Sequence, residues 1–253
     1  QLKYEGHSFL WYYILAPFAK LGISVEIQNY IASAFGIGTV YLILKKSPFN
    51  KFMKVLLTFS GGMVYFYSAI ARPYCMIPFF LACISVVYKN KKEHPYLYAV
   101  LIALLANTHL IMLPTATLLT LFFWGEELII KRKEQTKETK KKLCKSLIIA
   151  AIGIGIYLLV ILATIPNCKI IKVSNEVDLV KSIQNILEAL KNACITSVSY
   201  LYGGRDIPLY YKILIGVIFG ICLWETKYNL KQGLIFWAQL IFSLLVQALA
   251  WFV

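Results

Sequence analysis

Polar residues that could do chemistry stand in short clusters within or beside long apolar blocks. Arg72 and Tyr74 flank a proline, and Asn107 and His109 flank a threonine. Arginine suits a phosphate group, because its planar fork of N–H donors matches two phosphate oxygens. Polar groups at membrane depth are costly, so they are usually paired or functional. Both clusters are therefore candidate parts of a binding site.

The same residues also have structural explanations. Arg72 can pair with a carboxylate or extend to lipid headgroups. Asn107 and His109 can satisfy each other and the backbone of a broken helix. Glu5 and His7, near the start of the chain, can lie in a solvated loop. The residue types alone leave these alternatives open.

Composition indicates which elements must position these side chains. Hydrophobic residues make up 59% of the 253 residues, charged residues 15%, and the mean hydropathy is +0.68. A soluble domain of this length needs a more polar surface. Apolar blocks such as 146–165 and 233–253 are long enough as helices to cross the ~30 Å hydrocarbon core. The sequence therefore predicts an integral membrane protein, crossing several times, in the plasma membrane of a bacterial cell.

The positive charge predicts the topology. Four short segments hold most of the 26 basic residues: 45–54, 89–92, 131–145 and 227–231. Their position between apolar blocks is typical of cytoplasmic loops, so the net charge of +14 does not indicate a nucleic-acid partner. Because all four segments lie on one side, each apolar stretch between two of them crosses the bilayer an even number of times.

Two stretches are therefore predicted to be hairpins. Residues 55–88 turn at Arg72–Tyr74, where a proline interrupts the helix. Residues 96–124 turn at Asn107–His109, and their arms of only ~18–22 Å as helices stop below the outer surface. Backbone that turns at membrane depth is tolerated when it is buried in protein or lines a wet cavity. This points to a cavity on the outer side.

We therefore expect an all-α fold, a polytopic transmembrane helix bundle with short broken hairpins, as a single transmembrane domain over 1–253. Segment 125–145 is predicted to be a basic cytoplasmic loop. Segment 166–208 is predicted to be extracytoplasmic, with an outer amphipathic helix at 177–190 and a polar turn at 203–206. Residues 9–20 are predicted to form an interfacial or re-entrant helix. The first and last residues suggest a fragment of a longer membrane protein.

The ordered clusters resemble those of membrane glycosyltransferases of the GT-C type, which include protein mannosyltransferases that use dolichyl-phosphate-mannose and lipid A aminoarabinose transferases. Glu5-Gly6-His7, with the aromatic run Trp11-Tyr12 after it, resembles the segment after the family's first outer loop, although Ser8 and Phe9 replace its paired prolines. Ala71-Arg72-Pro73-Tyr74 is similar to the family's Ala-Arg-x-Tyr, and Ala106–His109 is similar to its next outer turn. The resemblance extends over residues 5–124.

The resemblance implies transfer of a sugar from a polyprenyl-phosphate donor to an unknown acceptor on the extracytoplasmic side. It implies that Arg72 contacts the donor phosphate and that Tyr74, Asn107 and His109 bind sugar or phosphate. Glu5 and His7 would bind a divalent metal ion, as candidate cofactor, or the donor headgroup. The catalytic residue is unknown, because the family's acid pair is expected upstream of Gln1.

Two other functions fit the same pattern. A transporter or flippase-like carrier would use broken hairpins along a translocation path. Against a carrier, the sequence has no pseudo-symmetric halves, and the broken turns are predicted to lie on one side. A non-catalytic membrane scaffold would bind a partner through the outer segment. In every case the partners include the lipid bilayer.

Cysteine labelling tests the predicted topology. Three residues are predicted outside, Arg72, His109 and Arg205, and three inside, Lys91, Lys137 and Lys231. Single cysteines are placed at these positions in a cysteine-free chain, and intact cells are treated with a membrane-impermeant thiol reagent. We expect labelling of the outside set alone. Labelling at position 137 without labelling at position 205 would contradict the arrangement.

Overall fold

A computed structural model describes residues 9–59, 63, 71–164, 213 and 217. Glu5, His7, Arg205 and the segment 166–208 with its predicted amphipathic helix lie outside the described residues. The chain divides into two compact units, Gln1–Cys168 and Lys169–Val253. The second unit is described only at Ile213 and Val217, which are helical and exposed. The prediction of a single transmembrane domain stays a prediction.

Every regular element in the described ranges is helical, which confirms the all-α prediction for that part of the chain. The longer helices are α1 Leu10–Lys20, α2 Ile27–Lys46, α3 Lys51–Thr58, α4 Met76–Val87, α5 Pro95–Ala106, α6 Leu113–Gly125 and α7 Lys137–Thr164. Short 3₁₀ turns at Pro73–Cys75 and Leu110–Met112 precede α4 and α6, and a π-helical turn, Glu126–Ile130, follows α6. Three stretches are long and apolar enough to cross a membrane, Ile27–Lys46, Leu110–Ile130 and Lys137–Val160.

The first predicted helix break is confirmed at Arg72. Its backbone is extended, with φ −138° and ψ 167°, and Pro73 opens the short helix Pro73–Cys75 that leads into α4. The residue before a proline avoids the helical region, and proline at a helix start loses no intrahelical hydrogen bond. Most of the arm that precedes the break, residues 60–62 and 64–70, lies outside the described part of the chain.

The second predicted hairpin is confirmed along both arms. Helix α5 ends at Ala106 and α6 begins at Leu113. The Tyr98 ring, near the start of α5, lies 5.2 Å from the Phe123 ring and 5.9 Å from the Trp124 ring, near the end of α6. The two helices are therefore antiparallel.

The segment 125–145, predicted to be a basic cytoplasmic loop, is helical at both ends, and its cytoplasmic location stays a prediction. The π-helical turn extends to Ile130 and α7 begins at Lys137, so only the turn at 131–136 is non-helical. Thr136 Oγ1 accepts a hydrogen bond from the Thr139 backbone N–H at 3.2 Å and so caps α7. Lys142 pairs with Glu138 at 2.9 Å, one turn earlier. Lysine and glutamate are good helix formers, so a basic segment need not be a loop.

The tightest packing in the described chain joins α5 to α7. One stripe of α7 is buried, formed by Leu143, Ser146, Ala150, Gly153 and Tyr157. A Cβ atom built on Gly153 would overlap Ala103 Cβ and lie 2.7 Å from Ala103 Cα. Small residues that face each other let two helix backbones approach closely, and van der Waals contact is the main attraction available in lipid. Glycine at 153 is therefore what permits this packing.

Two further contacts join helices within the first unit, one between α6 and α7 and one between α2 and α4. Trp124 Nε1 donates to the Leu143 carbonyl at 2.9 Å and lies 3.0 Å from Ser146 Oγ, which ties the end of α6 to the start of α7. Phe35 of α2 packs with its ring centroid 5.3 Å from that of Phe79 on α4. Since Trp124 is buried, its indole N–H needs these partners.

A matched pair of glycines tests the α5–α7 contact. Gly153→Ala should lower the stability of the purified chain in detergent by about 1–3 kcal/mol, because the added methyl group overpacks the interface. Gly155 has no heavy atom within 4 Å of an added Cβ, so Gly155→Ala should leave the melting temperature unchanged or raise it. Equal melting temperatures for both variants would contradict the packing argument.

Candidate functional site

The two helix breaks bring Tyr74 and His109 together. Their ring centroids are 4.9 Å apart and the rings are tilted by 41°. Tyr74 belongs to the turn before α4, and His109 to the turn between α5 and α6. Two of the four site residues predicted in this part of the chain are therefore in contact, although 35 positions separate them in the sequence.

The backbone fixes the tautomer of His109. Its Nδ1 accepts a hydrogen bond from the Ile111 backbone N–H at 3.1 Å. An accepting Nδ1 carries no proton, so the neutral imidazole carries its proton on Nε2. His109 therefore presents Nε2 as a donor, with a ring orientation set by the turn that follows it.

Asn107 has a structural role. Its Nδ2 donates to the Ala103 carbonyl at 2.9 Å and to the Gly153 carbonyl of α7 at 2.7 Å. An amide nitrogen has two N–H donors, and both are used here. The alternative in which Asn107 satisfies broken backbone is therefore supported.

The hydrogen bond from Asn107 to the Gly153 carbonyl also shows the level along α7 at which the α5–α6 turn lies. Helix α7 continues from Gly153 to Thr164, ~16 Å beyond the turn. Thr108 is fully buried at the same turn, and its hydroxyl donates to the Leu105 carbonyl at 2.7 Å. The hairpin tip therefore lies part of the way along α7, and its depth below a membrane surface stays a prediction.

Arg72 is exposed, and it stands two residues before Tyr74 in the sequence. Among the described residues no carboxylate lies within ion-pair distance of its guanidinium. The described ranges therefore contain no salt-bridge partner for Arg72. Its position one residue before Pro73 keeps its backbone extended.

The predicted metal ligands, Glu5 and His7, lie outside the described residues. In the described ranges, 9–59, 63 and 71–164, no three His, Cys, Asp or Glu side chains form a group that could hold a metal ion. The proposal of a divalent ion stays a prediction.

Sequence reasoning missed a charged cluster at the other end of α5, which we call the Glu127 cluster (Lys92, Glu126, Glu127, Lys131 and Gln135). Glu127 is only 2% exposed. Its Oε1 lies 2.8 Å from Lys92 Nζ and 3.9 Å from Lys131 Nζ, and its Oε2 accepts from Gln135 at 2.6 Å. A buried carboxylate needs such partners.

The Glu127 cluster places two basic segments at one end of the unit. Lys92 belongs to the segment 89–92, and Lys131 begins the segment 131–145. Lys131 also pairs with Glu126 at 2.6 Å, and this hydrogen bond raises the pKa of the Lys131 ammonium. The signal in the sequence was two acids at the end of an apolar block, directly before a lysine-rich segment.

Comparison of the chain with protein-family models, curated proteins and solved structures found no match. One end of α5 carries a tyrosine–histidine pair near an exposed arginine, and the other carries lysines held by a buried acid.

Asn107→Ala tests the hydrogen bonds that hold the turn. We expect the free energy of unfolding in detergent to fall by about 1–3 kcal/mol, since two side-chain hydrogen bonds are lost. Asn90→Ala is the control, because Asn90 is exposed and its side chain has no partner among the described residues. The control should change stability by less than about 0.5 kcal/mol. Equal small losses in both variants would contradict the role assigned to Asn107.

Proposed function

We propose that the chain is part of a multi-pass membrane glycosyltransferase, which transfers a sugar from a polyprenyl-phosphate donor on the extracytoplasmic side. The observation that carries the proposal is the Tyr74–His109 pair. In the sequence, Tyr74 stands two residues after the exposed Arg72. The pair lies at one end of the 12-residue helix α5, and the Glu127 cluster lies at the other end.

Exposed apolar side chains support the multi-pass arrangement. One stripe of α2 exposes Tyr30, Ile37, Tyr41 and Leu44, with exposures from 45% to 71%. A contiguous apolar surface of this kind is unfavourable in water and favourable against lipid. The lysines at the Glu127 cluster would face the cytoplasm by the positive-inside rule, and the Tyr74–His109 pair would face outward.

The proposed chemistry assigns a role to each group. Arg72 would hold the lipid phosphate through two charge-assisted hydrogen bonds and stabilise the charge that the departing phosphate gains. Tyr74 and His109 would bind sugar or phosphate oxygens, with His109 Nε2 as a donor. Removal of the acceptor proton requires a base within ~3 Å, and the proposal assigns none to the described residues.

The proposal predicts binding of polyprenyl phosphate through Arg72. The purified chain in detergent is titrated with polyprenyl phosphate and with the uncharged polyprenol by native mass spectrometry. We expect the phosphate to bind more tightly. Arg72→Ala should weaken phosphate binding about tenfold or more, because a charge-assisted bond is lost. Arg72→Lys should be intermediate, since it keeps the charge and loses the fork.

Arg132→Ala is the matched control, because Arg132 is exposed on the turn beside the Glu127 cluster. It should bind polyprenyl phosphate like the wild type. Equal affinity of wild type and Arg72→Ala would contradict the phosphate role of Arg72. Tight binding without sugar transfer, in the full-length protein supplied with a sugar-loaded donor, would favour the carrier or the scaffold over the enzyme.

A further inference from the structure

Helix α7 carries a second stripe, on the face opposite its buried one. Two lysines begin this stripe and four large apolar residues continue it, at the helical spacings of four, three, four, four and three: Lys141, Lys145, Ile148, Ile152, Ile156 and Leu159. The lysines are exposed, and the four apolar side chains are 50% to 67% exposed. At ~100° per residue all six lie within about one quarter of the helix circumference.

The two lysines of this stripe, Lys141 and Lys145, differ from the neighbouring Lys142 in their ion pairs. Lys142 pairs with Glu138 at 2.9 Å and is locally neutralised. Within the described ranges, Lys141 and Lys145 have no carboxylate partner. Because α7 begins at Lys137, both lysines are held on a rigid helix, one turn apart. A flexible loop would have left their positions undefined.

The apolar part of the stripe matches one leaflet. From Ile148 to Leu159 the helix rises ~17 Å, and half of the ~30 Å hydrocarbon core is ~15 Å. An acyl chain along the four apolar residues would therefore place its headgroup phosphate at the level of Lys145 and Lys141. Lysines beside a membrane span attract anionic headgroups in this way.

We propose that this face of α7 binds one anionic phospholipid, with its phosphate between Lys141 and Lys145 and an acyl chain along Ile148, Ile152, Ile156 and Leu159. The inference rests on the membrane insertion in the proposed function and is independent of the glycosyltransferase chemistry. Charge complementarity selects the anionic headgroup, and the length of the apolar stripe selects a lipid over a soluble phosphate.

The test compares two double variants that remove the same charge. The purified chain in neutral detergent is titrated by native mass spectrometry with phosphatidylglycerol, and with phosphatidylcholine of the same acyl chains. In the wild type, phosphatidylglycerol should bind more tightly. Lys141→Gln with Lys145→Gln should weaken its binding about 30-fold, from about fivefold per lysine. Lys45→Gln with Lys46→Gln, at the end of α2, should change it less than threefold.

Three outcomes would overturn the lipid site. They are equal affinity for the two lipids, equal losses in the two double variants, and displacement of the lipid by soluble glycerophosphoglycerol at the lipid's own concentration. Melting temperatures confirm that both variants fold. Alkaline carbonate extraction separates this inference from the proposed function: release of the chain from membranes would overturn both, whereas a retained chain without lipid preference overturns the lipid site alone.

Discussion

The contact of Ala103 with Gly153 determines how closely α5 packs against α7. Because Gly153 has no side chain, α5 can approach α7 closely enough for Asn107 to reach the Gly153 carbonyl. That hydrogen bond holds the turn after α5 in place. The same turn positions the ring of His109 against that of Tyr74. A larger residue at 153 would separate the backbones and leave the Gly153 carbonyl without the Asn107 amide.

The two ends of α5 have different electrostatics, and each difference has a physical cause. At one end a buried carboxylate, Glu127, is compensated by Lys92 and Gln135, so the flanking basic segments are held close together despite their like charge. At the other end the backbone breaks, and neutral groups of Asn107, Thr108 and His109 satisfy the freed carbonyl and N–H groups. Positive charge and broken backbone are thus kept apart by one short helix.

The sequence predicted the features that depend on local signals. The breaks at Arg72 and Asn107 followed from a proline and from polar residues inside apolar stretches, and both are observed. The helical turns at both ends of segment 125–145 were not predicted, because charge indicates exposure, whereas helix formation there depends on the propensity of lysine and glutamate. The burial of Glu127 depends on Lys92, and the role of Asn107 on a carbonyl 46 residues further along. Neither partner is visible in a local pattern.

Helix α7 holds its neighbours at two levels, through Trp124 near its start and through Asn107 further along. Both attachments share one uninterrupted ladder of backbone hydrogen bonds, so neither can open without straining the other. The α5–α6 hairpin and α7 therefore form a single cooperative unit, which should exchange its amide protons together, in one opening event, and not helix by helix.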